Sequence, residues 1–341
     1  IFNVVHAASS LLILLLTKVI GMNFRQYMLL YMVEMLCFAL FGMGWISKMV
    51  GAIKPLLSRK IIREILAFSI PMGLASVVGT LNAELDKLVI GRFFTTEEYA
   101  IFANAAKELP VTFLATSLTA VLLPRFVRFL GRGENQKAIK LWVYAADLSF
   151  CFMVLIVGGF IVFAPDIMSL FYSEKYVTSD GVLVFRIYAL ILMFRAIYWG
   201  IILNATGKTK FVFYSSLLTL ILNFVGNIIS CYTIGFAGPA ISSLLVTAIM
   251  AAVQLGFSCR IIQIRFTEVL PWKKIAGYLA ETVALACFFF IIRYRLLANM
   301  SRSISIGVSI VLGVSWAILY AWINKRNLLT NWKRLNSSTY E

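Results

Sequence analysis

Apolar stretches of about twenty residues recur along this chain, and that is the length a helix needs to cross some 30 Å of hydrocarbon. Ten of them stand at residues 3–20, 28–46, 65–85, 99–123, 143–164, 183–203, 211–232, 237–258, 276–292 and 303–323. Inside a bilayer each backbone polar group must be satisfied within the protein, and a continuous apolar run of this length does so as a helix. Composition agrees. Hydrophobic residues make up 61% and charged residues 13% of the 341, and mean hydropathy is +0.90, whereas a soluble domain carries about a quarter charged residues. Small residues interrupt the runs, as in Gly73-Leu74-Ala75-Ser76 and Ala237-Gly238-Pro239-Ala240, and these let helix backbones approach closely. The expected fold is an all-α, polytopic membrane protein: a packed bundle of about ten transmembrane helices.

Alternate connections are basic. Twenty of the 31 Lys and Arg residues fall in the segments 47–63 and 125–141, at Lys208 and Lys210, between Arg260 and Lys274, and in the tail from Lys325 to Arg334. The longest opposite connection, Pro165 to Gly181, carries Asp166, Glu174 and Asp180. The positive-inside rule places the basic side, the C-terminus and, with an even span count, Ile1 in the cytoplasm. Arg293, Arg295 and Arg302 run against the rule and make the last pair of spans the least regular. The net charge of +16 is accounted for by topology and attraction to anionic membrane lipids, which leaves no case for nucleic acid as a partner.

The chain begins Ile1-Phe2-Asn3, with no Met and no short apolar leader, and reads as a fragment that lacks an N-terminal portion. Its five cysteines form no CxxC pair, and the lone His6 sits at the start. No disulfide framework or metal site is expected. Neither a phosphate-binding glycine loop nor a Ser/His/Asp set appears, so the chain is not expected to be an enzyme and needs no cofactor of its own.

Ionisable residues inside spans are costly, about 2.5–3.5 kcal/mol at a helix centre, and suggest a function. Arg195 lies near the middle of the stretch 183–203, and uninterrupted helical spacing would set Tyr188, Tyr198 and Trp199 on its face. Guanidinium is a planar fork suited to phosphate oxygens, and aromatic rings suit sugar faces. Arg186 projects from the opposite face. Glu84, Asp86 and Lys87 form a second group at the end of the stretch 65–85, and Lys107 and Glu108 follow before Pro110. These carboxylates suit the binding of a coupling Na+ or proton, the bland alternative being an interfacial salt-bridge network. Glu34, Asp147, Glu281 and Lys18 lie near span ends and read as interfacial. Pro71, Pro110 and Pro239 fall within spans, where proline kinks a helix.

Phe68-Ser69-Ile70-Pro71-Met72, Leu81 to Gly91, and Glu98-Tyr99-Ala100 together resemble the opening of the second half of bacterial polysaccharide exporters. Leu122-Leu123-Pro124 is similar to the proline that closes the preceding helix there. Ala164-Pro165-Asp166-Ile167 through Phe171, with Lys175-Tyr176, resembles the family's outer loop, and Leu203-Asn204-Ala205-Thr206-Gly207-Lys208 its inner turn. The family comprises the repeat-unit flippases for O-antigen, capsule and related polymers, which share the fold of multidrug and toxin extrusion (MATE) transporters and of the lipid II flippase.

The resemblance implies two six-helix lobes with two added C-terminal helices. Residues 1–46 would be the last two helices of the first lobe, 47–64 a cytoplasmic linker, 65–258 the second lobe, and 259–341 the added pair with its tail. It also implies a multi-pass protein of the bacterial inner membrane, which moves polyprenyl-pyrophosphate-linked oligosaccharide by alternating access. Arg195, Arg186, Lys107 and Lys87, with Tyr188 and Trp199, would line the substrate cavity, while Asp86, Glu84 and Glu108 would be the ion-coupling carboxylates. Partners would be the lipid-linked oligosaccharide, membrane lipids, and the polymerase and chain-length components of the same system. The rival readings are a multidrug or cation antiporter of the same fold, a membrane-embedded polymerase or ligase, which usually carries a long outer loop with functional Arg or His, and a structural membrane subunit.

Overall fold

A computed structural model describes residues 2–50, 58–107, 113–297 and 302–336. The described residues form α1 (Phe2–Ile20), α2 (Phe24–Val50), α3 (Arg59–Phe93), α4 (Thr96–Ala105), α5 (Phe113–Gly131), α6 (Asn135–Val162), α7 (Ala164–Phe171), α8 (Ser179–Phe194), α9 (Ile201–Ala205), α10 (Thr209–Thr233), α11 (Gly238–Ile262), α12 (Trp272–Leu297) and α13 (Arg302–Asn336). No strand occurs among them. Seven helices, α2, α3, α6 and α10 to α13, are each long and apolar enough to cross a membrane.

The expectation of ten uninterrupted spans needs correction at two places. The stretch 99–123 contains α4, which ends at Ala105, and α5, which starts at Phe113; the sequence between them carries Lys107, Glu108 and Pro110. The stretch 183–203 is divided into α8 and the short α9. Helix ends also intrude on the expected linker 47–64, since α2 runs to Val50 and α3 starts at Arg59. Glu108 and Pro110 lie outside the described residues.

Local chemistry explains several boundaries. Thr95 and Glu98 form a reciprocal capping box at the start of α4. Gly207, in the Asn-Ala-Thr-Gly-Lys turn, adopts φ +72°, a left-handed conformation that glycine takes without steric cost. Pro239 was expected to kink a span, but it stands in the first turn of α11, where no intrahelical hydrogen bond is lost. Helix α3 continues through Pro71 and α5 through Pro124.

The chain forms two compact units, Ile1–Glu64 and Ile65–Glu341. In the first, α1 packs on α2. Glu34 is buried there and accepts hydrogen bonds from the hydroxyls of Ser9 and Ser10. In the second, α6 is the hub: α5, α7, α8, α12 and α13 all pack on it, and sixteen of its 28 residues are buried.

The C-terminal pair α12–α13 is fastened to α6 and α7 at both ends. Asp147 of α6, expected at the interface, is 1% exposed. It receives hydrogen bonds from Lys274, from the Tyr278 hydroxyl at 2.7 Å and from Asn331 Nδ2 at 2.6 Å. At the other end Arg293 Nε donates to Asp166 Oδ2 at 2.5 Å. That ion pair supplies a reason for one arginine that runs against the charge rule: it answers a carboxylate of α7. The predicted loop 165–181 is itself partly helical, with α7 opening on Pro165 and a 3-10 turn at Glu174–Tyr176.

Between these ends Trp316 of α13 lies against Gly158 and donates from Nε1 to Leu155 O at 3.0 Å. A Cβ at Gly158 would stand 2.5 Å from Thr282 Cγ2 and 2.6 Å from the Trp316 ring, whereas one at Gly159 meets nothing nearer than 3.5 Å. Overpacking a closed core costs about 1–3 kcal/mol. Gly158→Ala should therefore lower the melting temperature in detergent by several degrees, and Gly159→Ala should leave it close to wild type; tryptophan fluorescence during thermal unfolding reads both.

Candidate functional site

Asn82 and Asp86 are one helical turn apart on α3, and Asn223 and Asn227 are one turn apart on α10. The structure brings both pairs together with Tyr188 of α8 and Ser243 of α11. Asp86 is 2% exposed. Its Oδ1 accepts from Asn227 Nδ2 at 2.8 Å and Asn223 Nδ2 at 3.2 Å. The Ser243 hydroxyl lies 2.7 Å from Oδ2, and the Tyr188 hydroxyl donates to the same oxygen. Asn223 Nδ2 also reaches Asn82 Oδ1 at 3.1 Å.

An ionised carboxylate is an acceptor only, with about four lone-pair sites on its two oxygens. Four side chains from three other helices converge on Asp86. The cluster therefore lets a charge sit in an apolar bundle that would otherwise expel it. Asn227 Oδ1 is buried with no hydrogen-bond partner among the described residues. Together the cluster gathers carboxylate, amide and hydroxyl oxygens without His or Cys. Such a set suits a proton or a small hard cation rather than a thiolate- or imidazole-seeking metal. No three or more His, Cys, Asp or Glu side chains are gathered so that they could hold a metal ion among the described residues.

The other candidates are distributed differently from the expectation. Arg195 does not sit mid-helix: α8 ends at Phe194, and Arg195 is its C-terminal cap, with φ −103° and ψ 7°. Its backbone N–H bonds Leu192 O at 3.0 Å, the tightened i to i−3 pattern of a closing turn. Tyr198 and Trp199 follow in the break before α9, so the i+3 and i+4 argument that put them on the arginine's face does not apply. Trp199 Nε1 instead donates to Phe194 O at 2.5 Å, and the Tyr198 hydroxyl accepts from Asn204 Nδ2 at 2.9 Å. Arg195 is half-buried and within electrostatic reach of Asp86.

Tyr188, expected to line a cavity with Arg195, has its hydroxyl on Asp86. Its ring lines a cavity of about 20 Å³ with Lys107, Phe160, Phe185 and Leu192, room for about one water. Lys107 is exposed just beyond the end of α4. Glu84 and Lys87 pair with each other at 2.8 Å and are not among the hydrogen-bond partners of Asp86 named above. Arg186 also stands apart, donating from Nε to Ile161 O at 3.0 Å.

The sequence singled out Asp86 and Tyr188 but not Asn82, Asn223, Asn227 and Ser243. A signal was present, because an Asn-x-x-x-Asn pair inside an apolar span puts two amides on one helix face, where they need polar partners. The distance along the chain hid the match: Asn227 is 141 residues from Asp86.

Helices of this length and apolarity, bundled around satisfied buried charges, define a polytopic helical membrane protein. A family described as polysaccharide biosynthesis protein matches residues 2–181, more than half of the chain, and the chain belongs to that family. It is 19% identical over 241 residues to the probable low-salt glycan biosynthesis flippase Agl15 of Haloferax volcanii, covering 70% of this chain and 50% of that protein. It is 25% identical over 164 residues to the capsular polysaccharide biosynthesis protein CapF of Staphylococcus aureus, covering 46% of this chain and 40% of that one. Among solved structures it is similar to the lipid II flippase MurJ in an inward closed conformation, with TM-score 0.57, 18% identity and coverage of 87% of this chain and 62% of that one. At that identity the likeness is one of fold alone. The chain spans about half the length of the curated relatives it matches.

Asn227→Leu should destabilise the bundle by about 1–3 kcal/mol, because it removes a donor from a buried carboxylate and leaves the remaining partners to hold the charge. Unfolding in a denaturing detergent series measures this, with exposed Asn135→Leu as the control.

Proposed function

We propose that this protein is a flippase that moves polyprenyl-pyrophosphate-linked oligosaccharide repeat units across the bacterial inner membrane for surface polysaccharide synthesis. The observation that carries the reading is the match to the polysaccharide biosynthesis family over residues 2–181. The names of two relatives, a glycan biosynthesis flippase and a capsular polysaccharide biosynthesis protein, support the substrate class. The C-terminus faces the cytoplasm by the charge rule. The polymerase and chain-length components of the same system would be its working partners.

In this reading the Asp86 cluster is the coupling site, a role the sequence had also offered to Glu84 and Glu108. A proton or Na+ arriving at Asp86 neutralises the carboxylate and weakens its hold on the Tyr188 hydroxyl. Tyr188 lies two turns before Arg195, the C-terminal cap of the same short helix, so loosening the tyrosine frees that end of α8 to move the guanidinium. Arg195 is the side chain assigned to the substrate's pyrophosphate, since a planar fork of donors matches phosphate oxygens and keeps its charge. Lys107, at the mouth of the small cavity beneath Tyr188, adds positive charge on the approach. Lobes rocking around a central cavity then alternate its access. A multidrug antiporter of the same fold would recognise cations and have no use for this arginine.

Arg195→Ala should abolish polymer at the cell surface while the protein still inserts and accumulates normally. Arg195→Lys should restore a fraction of it, because charge without the fork recovers attraction but not geometry. Immunoblotting of membranes and staining of surface polysaccharide separate insertion from transport. Wild-type polymer in the alanine variant contradicts the assignment.

A further inference from the structure

A groove of about 320 Å³ runs between α6, α7 and α13, away from the Asp86 cluster. None of its lining residues comes from α3, α8, α10 or α11, the helices that build that cluster. Phe160 is the partition between the groove and the small cavity under Tyr188. Ile156, Phe163, Ile167, Leu170, Ile310 and Trp316 make the body of the groove apolar. Its lip on α13 is apolar too, with Val311 and Val314 exposed, so the groove opens sideways to hydrocarbon.

One end of the groove is charged. Asp166 lines it and holds Arg293 Nε at 2.5 Å and the Ser305 hydroxyl at 3.3 Å. Arg186 approaches from α8: its guanidinium stands 6.0 Å from the Phe290 ring, one turn along α12 from Arg293, and the two like charges are close enough to repel. Ile161 O is the only hydrogen-bond partner of Arg186 among the described residues, and it occupies Nε alone. Among the described residues, two guanidiniums stand against one carboxylate at the head of this apolar slot, one positive charge in surplus. Within the slot, Ser309 Oγ is buried and has no partner among the described residues.

We propose that this slot is a binding site for one anionic phospholipid, its phosphate held by Arg186 and Arg293 and one acyl chain laid along α13. A phosphodiester carries a single negative charge, which balances the surplus, and arginine engages phosphate through paired N–H donors. Basic pockets between transmembrane helices recognise lipid head groups in this way. The pyrophosphate of a transported substrate would bring more charge than the two arginines can balance. With the orientation proposed above, the bound lipid belongs to the outer leaflet. It would wedge the added helix pair against α6 and α7, beside the Asp166–Arg293 pair that joins them.

The site is testable without a transport assay. The chain, purified in mild detergent, is offered phosphatidylglycerol and phosphatidylcholine with identical acyl chains, and retained lipid is counted by native mass spectrometry. One phosphatidylglycerol per chain should be kept, several-fold in preference to phosphatidylcholine. Arg186→Gln should remove the preference. Gly313→Phe should exclude both lipids, because Gly313 lines the slot and a Cβ there meets nothing within 4 Å; an unchanged melting temperature before lipid addition shows that the variant folds. Equal retention of the two lipids by the wild type, or an undiminished preference in both variants, overturns the proposal. A stronger retention of polyprenyl phosphate than of phosphatidylglycerol overturns it as well and makes the slot a substrate site, leaving the coupling role of Asp86 untouched.

Discussion

A single carboxylate sets the terms for the second unit. Asp86 lies in the interior of a bundle whose surroundings are built to exclude charge, and it stays there because Tyr188, Asn223, Asn227 and Ser243 bring donors to it from α8, α10 and α11. Each of those side chains would itself be costly in hydrocarbon without a partner. The four helices are therefore fixed relative to one another by a mutual requirement for satisfaction, and a change in the charge of Asp86 is felt by all of them. A fully apolar contact at the same place would hold the helices as well but could not respond to an ion.

The same rule is repeated around α6, to a different end. Asp147 takes Lys274, Tyr278 and Asn331, Glu281 takes Asn324, and Asp166 takes Arg293. The Asp147 contacts fasten α12 and α13 to the hub, the Asp166 pair ties α12 to α7 and the Glu281 contact joins α12 to α13, with Trp316 seated on Gly158 between the ends. Asp147 and Asp166 each carry a direct cationic partner. Among the described residues, the side chains that hydrogen-bond Asp86 are all neutral. That difference in composition separates a fastening from a site that can accept a positive charge.

The bundle was legible in the sequence because apolar run length is a local property, set by hydrocarbon thickness. Breaks inside those runs were not. Residues 183–203 are almost continuously apolar, yet the helix closes at Arg195, and nothing in the hydropathy of Tyr198, Trp199 and Gly200 marks the place. The charged member of the Asp86 cluster was legible for the same reason that it is costly, since an Asp in a span stands out. Its neutral partners did not stand out, because Asn and Ser are common in membrane helices and their pairing depends on packing between segments more than a hundred residues apart. Arg293 shows the converse case: a residue that breaks the charge rule in sequence is explained by a carboxylate brought to it from α7.

The account rests most heavily on Asp86 as the point where an ion gradient acts on transport. The direct measurement uses the whole transporter reconstituted in vesicles, with translocation of a fluorescent lipid-linked oligosaccharide followed under imposed Na+ and proton gradients. One of the two gradients should accelerate the wild type several-fold. In Asp86→Asn, which keeps the size of the side chain and removes its charge, that acceleration should vanish while a slow gradient-independent movement persists. An Asp86→Asn transporter that responds to the gradient as the wild type does would contradict the account.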